Sequence, residues 1–592
     1  MDFSFMTEVF PGILMLVVFL IMTIGMYTRR ISALLALPIM AFLFAVIGVV
    51  EYLDFFYILR RHMGKSSFLF LLWSLEGWLV ITALLSFLSK RKMVSGVAAL
   101  WGSIGLFFLA ILVNIPGMMP LFDISVLTEL LATIHIDIIM NDIIASGAVK
   151  LHTAYTVAIF GGMLAILVKE KKIAETFIKY AAELGGDNPI LVAMLMMLVC
   201  FMLFTTLGGL GAIIMVGTII LPIMMSLGIH PLVAGGVLLI GLSAGGTFNP
   251  ANWALYEESL MVDRQKIQMA AVVMIVLYLS MGAVFVTLSM KKKRRRRYFA
   301  QVQSKASDTK VRPIALLSPI VPIILVFQLS TFVQLAGWLK GKADWLDNMI
   351  AGAGRIAYFW DTYVGAWDFI PAFIAGILFC LITTWDWKGR NIRVLTKAMI
   401  EGAESVMPAV ILMLGIGMLL NAVWHPSVSR YLEPMIKPMI PESRFFYILV
   451  FGLAAPLALY RGPLNLWGLG LGVALLVYRQ SALSAAAVMG IFLTTGAMQG
   501  VCDPTNTHNV WIATYISEDV IQLSKKLLVY VWVMIFVGLF IMSFLFPLKK
   551  TEEEQKELQE ELEVSMLIPE KTHQIPEIPA LPFLSSETRR TA

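Results

Sequence analysis

Two stretches, residues 189–261 and 443–516, stay apolar for far longer than one membrane-crossing helix needs, and both are interrupted by Gly, Pro and Asn. About 20 apolar residues suffice to cross the hydrocarbon core. Lipid cannot satisfy free N–H and C=O groups, so irregular backbone at that depth persists only inside protein or beside a wet cavity. A chain with two such stretches is therefore expected to be an all-α polytopic membrane protein organised around them. Composition agrees: of 592 residues, 59% are hydrophobic and 14% charged, against roughly a quarter charged in soluble domains.

Ordinary spans are expected near 10–28, 31–50, 67–88, 95–117, 151–168, 268–290, 313–335, 368–386, 404–424 and 524–548. Phe10 to Tyr27 has no basic segment before it and no small-residue cleavage pattern after it, so it reads as a span and not as a removable signal. Lys and Arg mark cytoplasmic ends at Arg29-Arg30, Lys90 to Lys92, Lys169 to Lys172, Lys291 to Arg297 and Lys388 to Arg393. These anchors are mutually consistent if 189–227 is a re-entrant hairpin entering from the cytoplasm and 443–479 one entering from outside. The N-terminus then lies outside, as does the C-terminal tail.

The excess positive charge behind the formal +6 sits mostly in the run from Lys291 to Arg297. It reads as a topological anchor that attracts anionic lipid, not as a nucleic-acid surface. Cys200, Cys380 and Cys502 lie in apolar surroundings without the clustered spacing of a disulfide framework or a zinc site.

The two irregular stretches align on each other without a gap. Gly462 stands 254 residues after Gly208, and the same offset pairs Gly246 with Gly500, Asn249 with Asp503, Pro250 with Pro504, Asn252 with Asn506 and Gly161 with Gly415. The shared core is Gly-x-x-[Asn/Asp]-Pro-x-Asn, just downstream of a Gly-containing hairpin tip in each copy. Opposite orientations make this an inverted repeat, the architecture of many secondary transporters. The expected organisation is extra N-terminal transmembrane helices over 1–66 and a first repeat over 67–290 with hairpin 189–227 and broken helix 231–261. A basic cytoplasmic linker over 291–312 follows, then a second repeat over 313–548 with hairpin 443–479 and broken helix 483–516. The tail, 549–592, is acidic and then Pro-containing.

A proline at 250 or 504 removes a backbone donor and stops the helix, leaving unpaired carbonyls upstream and free amides downstream. The amides of the new half-helix suit a carboxylate, and the carbonyls suit a cation. Thr247, Asn249, Asn252, Thr505 and Asn506 add neutral donors and acceptors. Thr205, Thr206, Gly208 and Gly209 offer hydroxyls and bare amides at the first tip, and the second tip has Asn465 and a guanidinium, Arg461, whose planar fork matches a carboxylate. Asp503 replaces Asn249, so the pseudo-symmetric site is electrically asymmetric. A buried carboxylate can hold Na⁺ or a proton, which makes Asn249, Asp503, Thr507 and His508 the coupling-ion candidates, with Asp503 the expected Na⁺ ligand. Amphipathic segments near 173–184 and 429–440 precede the two hairpins and read as interfacial helices.

The pattern in 204–256 and 457–516 resembles the ion transporter superfamily, in particular its carboxylate symporters: the divalent-anion/sodium, citrate, C4-dicarboxylate and gluconate branches. The resemblance implies two inverted repeats, each with an interfacial helix, a re-entrant hairpin and a broken helix, in homodimers working by an elevator motion. It also implies a substrate and ion site between the hairpin tips and the breaks.

The expected function is a secondary active carrier in the plasma or inner membrane, moving a small organic anion, a carboxylate, with H⁺ or Na⁺ and needing no cofactor beyond that ion. The sequence contains no Walker-type phosphate loop for primary transport. The alternative is a Na⁺/H⁺ antiporter of the same architecture. An enzyme is not expected, because Cys502 and His508, the nearest approach to a nucleophile and base, come without an orienting acid.

Overall fold

The computed structural model describes residues 9–28, 30–90, 96–291, 311–340, 344–386, 391–441, 443–552 and 554–556. The linker from 292 to 310 and the tail beyond 556 lie outside the described residues. The chain is an all-α polytopic membrane protein with two inverted repeats, each containing a re-entrant hairpin and a broken transmembrane helix. Among the described residues seven helices are long and apolar enough to cross a membrane, or up to nine if each bent pair counts as one span.

Six helices come first: α1 (Phe10–Tyr27), α2 (Ala33–Val49), α3 (Tyr52–Met63), α4 (Lys65–Lys90), α5 (Gly96–Met118) and α6 (Ile124–Ala132). A wide-wound turn at Ile138–Ala145, the short α7 (Ser146–Val149) and α8 (His152–Glu170) then make one crossing. The amphipathic α9 (Ile173–Gly185) leads into a hairpin of α10 (Pro189–Phe204) and α11 (Gly209–Ser226). Asn188 starts α10 by accepting from the N–H groups of Ile190 and Leu191, with Pro189 in the first helical position, where no donor is needed. The first broken helix is α12 (Pro231–Thr247) and α13 (Pro250–Leu260), bent by 49° at Phe248–Asn249, and α14 (Arg264–Lys291) closes the repeat.

The expected span at 313–335 is not one helix. It is a tight turn at Pro313–Leu317, then α15 (Val321–Val326) and α16 (Ser330–Leu335), with extended backbone at Phe327. The gap is held by side chains remote in sequence. Gln268 Oε1 accepts from Gln328 N at 3.0 Å, and the Asp361 carboxylate accepts from Leu329 N and Ser330 N at 2.7 and 3.1 Å. Asp361 belongs to α17 (Asp344–Tyr363), which precedes α18 (Phe369–Thr383). The next helix, α19 (Asn391–Trp424), is longer than the apolar run 404–424 because it begins with a more polar first part.

The amphipathic α20 (Pro426–Ile436) precedes the second hairpin. That hairpin comprises α21 (Arg444–Ala454), irregular backbone through Arg461, and α22 (Leu471–Gln480). The second broken helix is α23 (Ala485–Cys502) and α24 (Thr507–Tyr515), followed by α25 (Val520–Leu545).

Packing divides these helices into two bodies. In one, α19 lies across α8 and α2, with α18 on α8 and α15 on α18. In the other, α10, α12 and α14 pack with α23 and α25, and α21 lies on α25. Without a hydrophobic drive inside lipid, close packing has to hold such helices together. At the α8–α19 crossing Gly162 meets Gly402 so closely that a Cβ on Gly162 would collide with the Gly402 carbonyl oxygen.

Candidate functional site

A cavity of about 500 Å³ lies between the two bodies. One wall is the frame, with Val157, Ala158 and Gly161 of α8 and Ser405, Val406, Pro408, Ala409 and Met413 of α19. The opposite wall brings together the tip of the first hairpin (Thr206 to Leu210), both helix breaks, and Leu466 and Trp467 of the second hairpin. Elements far apart in sequence thus converge on one space. That volume falls in the range of small-molecule sites.

Of the residues expected at the site, Thr206, Gly208, Gly209, Thr247, Asn249, Asn252, Thr507 and His508 line the cavity. Thr205, Arg461, Asn465, Asp503, Thr505 and Asn506 do not. They sit behind the wall, where they hold it together. Asp503 is fully buried, and its Oδ1 accepts from Thr505 N at 2.8 Å and Thr505 Oγ1 at 2.6 Å. Asn465 begins the second arm of its hairpin by accepting from Trp467 N at 3.0 Å. Thr205 donates to Met202 O at 2.7 Å. Tyr460 and Arg461 both adopt left-handed backbone, φ 55° and 57°, a conformation that costs a non-glycine residue about 1 kcal/mol or more.

The carbonyls left open by each break are not free. In the first break Asn252 Nδ2 donates to Gly246 O at 2.6 Å and Trp253 Nε1 to Thr247 O at 3.0 Å. In the second, Asn506 Nδ2 donates to Gln499 O at 2.6 Å and Asn509 Nδ2 to Val501 O at 3.2 Å, while His508 Nε2 lies 3.2 Å from Gly500 O. The repeat therefore extends to function: a side chain from the downstream half-helix caps the C-terminal end of the upstream one.

The amide ends of the half-helices differ from one another. Asn249 accepts from Ala251 N at 2.9 Å and so caps α13. Gly208 and Asn506 give α11 and α24 no side-chain cap, and both of these helix starts face the cavity through Gly208, Gly209, Thr507 and His508. Gly209 takes φ +82°, and a Cβ there would stand 2.8 Å from Ser405 O, so only glycine lets the tip close on the frame. Thr206 donates its hydroxyl to Pro319 O, fastening the same tip to the turn before α15.

Several lining residues had gone unmarked in the sequence: Ser243, Tyr256, Tyr278, Trp467 and Gln499. Tyr256 was within reach, since Asn249, Asn252 and Tyr256 recur at the spacing of one helix face. Trp467 and Gln499 carry no such signal. Among the described lining residues none is Lys, Arg, Asp or Glu, and no group of three or more His, Cys, Asp and Glu could hold a metal ion.

No protein-family model matches this chain, and none of the curated protein sequences does. Among solved structures it is similar to the YdaH transporter of Alcanivorax borkumensis, described as having an unusual topology. That likeness has a TM-score of 0.44 at 15% identity and covers 73% of this chain and 91% of that one. A second similar structure is MtrF of Neisseria gonorrhoeae, described within a class of antimetabolite efflux pumps, with a TM-score of 0.43 at 13% identity over 72% of this chain and 85% of that one. Neither description names the ion transporter superfamily.

Proposed function

We propose that this chain is a secondary active transporter of a small organic anion, a carboxylate, driven by H⁺ or Na⁺ across a plasma or inner membrane. The observation that carries the reading is a cavity walled on one side by a helical frame and on the other by two hairpins and two helix breaks. Two uncapped helix starts face it, and their free amides and partial positive charge suit a carboxylate without any ionised side chain. The first hairpin arm α10 and the upstream halves of both broken helices, α12 and α23, pack with α14 and α25 apart from the α2, α8 and α19 frame, and the resemblance to the carboxylate symporters adds the elevator motion and the homodimer. A Na⁺/H⁺ antiporter has less support, since the Asp503 carboxylate stands behind the wall and is engaged by Thr505.

The test is uptake into proteoliposomes under an imposed proton or sodium gradient. Gradient-dependent accumulation of a carboxylate is expected. If no gradient moves any member of a panel of mono-, di- and tricarboxylates, the reading fails.

A further inference from the structure

The two walls of the cavity differ in chemistry, and the difference specifies the solute. On the frame side Val157, Ala158, Val406, Pro408, Ala409 and Met413 are apolar. The one hydroxyl there, Ser405 Oγ, donates to Gly402 O at 2.8 Å. On the opposite side stand the uncapped amides at Gly208 and Gly209 and the start of α24 at Thr507. Phe204, Leu242, Phe492 and Leu493 make that wall partly apolar too, so a carboxylate entering this space finds its donors confined to one wall while apolar side chains stand on both.

Charge sharpens the argument. With no Lys or Arg among the described lining residues, one negative charge can rest on helix-start amides and hydroxyls. A second would meet no cationic side chain, and placed against Val157, Val406 and Met413 it would lose its hydration with nothing to replace it. A very small anion such as acetate would leave most of a 500 Å³ cavity unfilled, giving up the contact with the frame wall.

We propose that the solute is a monovalent anion with an apolar body, a monocarboxylate bearing a branched chain or a ring, held with its carboxylate on the hairpin-and-break wall and its body against α8 and α19. This rests on the carrier reading and narrows it. Ala158 and Val406 then set specificity through the shape of the apolar wall, without touching the charge.

The experiment uses the full chain in proteoliposomes, with radiolabelled 3-methylbutanoate as probe and acetate, phenylacetate, succinate and citrate as competitors, at a pH where each is ionised. Uptake of 3-methylbutanoate is expected, with strong competition by phenylacetate, acetate weaker by about tenfold and succinate and citrate weaker by roughly a hundredfold or more. Ala158→Leu, which fills the apolar wall, should raise the preference for acetate over phenylacetate about tenfold. If succinate or citrate competes as well as phenylacetate and is itself taken up, the inference is overturned while the carrier reading stands. Acetate equal to 3-methylbutanoate would overturn the apolar body. Movement of none of the five would overturn both readings together.

Discussion

Arg461 donates its backbone N–H to the Asp503 carboxylate at 3.4 Å, while its guanidinium turns away to the carbonyl oxygen of Trp467 at 3.2 Å. The two charged residues that make the repeats unequal thus join the second hairpin tip to the second helix break. Asp503 is occupied at both ends, with Thr505 on Oδ1 and Arg461 N on Oδ2. The Arg461 side chain braces the turn from which Trp467 reaches the cavity. This arrangement makes both residues organisers of the wall.

The first prediction separates that role from direct ligation. A guanidinium paired with substrate would cost roughly 2–5 kcal/mol when removed. A brace on a carbonyl is worth about 1.5–3 kcal/mol of local stability, only part of which reaches the cavity. Arg461→Ala should therefore lower the thermal midpoint while weakening solute affinity by no more than about tenfold. Asp503→Asn keeps an acceptor for Thr505 N and should fold normally, whereas Asp503→Ala leaves the Thr505 N–H and hydroxyl without their acceptor and should cost about 1–3 kcal/mol. Thermal shift with solute titration on the three variants checks this, and an affinity loss of a thousandfold or more in Arg461→Ala would return its guanidinium to the substrate.

A second prediction concerns the outer end of the first broken helix. Glu258 of α13 accepts from Thr153 N at 2.9 Å and Ala154 N at 3.3 Å, so it caps α8 across the boundary between the two bodies. The neighbouring Glu257 pairs with Arg264, which also reaches Asp368 ahead of α18 at 3.4 Å. Any motion of α13 relative to the frame has to break the Glu258 contacts to α8, and motion of α14 with it the Arg264–Asp368 contact. Glu258→Gln retains shape but gives up the charge, and hydrogen exchange at Thr153 and Ala154 should accelerate by roughly tenfold or more. Unchanged exchange would show that the clamp carries no strength.

What could be read in the sequence was what a residue type forces locally. Pro250 and Pro504 stop helices wherever they stand, and the offset of 254 residues between Gly246 and Gly500 makes the inverted repeat visible in the sequence itself. The third interruption, at Phe327, was not visible, because no Gly or Pro marks it; its free amides are satisfied by Gln268 and Asp361, which only tertiary structure brings there. The cavity was half legible. Asn249, Asn252 and Thr206 announce themselves as polar groups in apolar surroundings. Ala158, Val406 and Ala409 look like any membrane-facing residue until α8 and α19 are placed opposite the breaks. Arg461 was noticed for its charge, but which way its side chain points depends on the left-handed backbone at 460–461.

A third prediction tests the frame. Gly162→Ala puts a methyl group into the Gly402 carbonyl where α8 crosses α19, and overpacking of this kind costs typically 1–3 kcal/mol. Gly211→Ala, inside α11 with nothing within 4 Å of the added carbon, should instead stabilise by about 0.5–1 kcal/mol through reduced chain entropy. Opposite shifts of the thermal midpoint in detergent are expected, and equal shifts would mean that the crossing is looser than its geometry.

The last prediction follows from the clasp at the end of α25. Ser484 N donates to Leu548 O and Lys550 N to Ala482 O, each at 2.8 Å, so the chain after α25 folds back onto the link between α22 and α23. Lys550 Nζ stands 4.8 Å from the centre of the Tyr478 ring. Burial pulls its ammonium down to about 8, with Arg479 adding to the effect and Glu554 opposing it. The unfolded chain holds this proton to a higher pH than the folded one does, so stability rises with pH wherever the two differ. Below pH 8 the group is charged in both states and the cost of burying it is fully present; it fades as pH rises from about 8 toward the ordinary lysine value. Comparing the wild-type chain with Lys550→Met over that window isolates the effect. The wild type should gain thermal stability relative to the variant as pH increases, and a difference that stays flat, or moves against the wild type, would show that Lys550 keeps its charge in water.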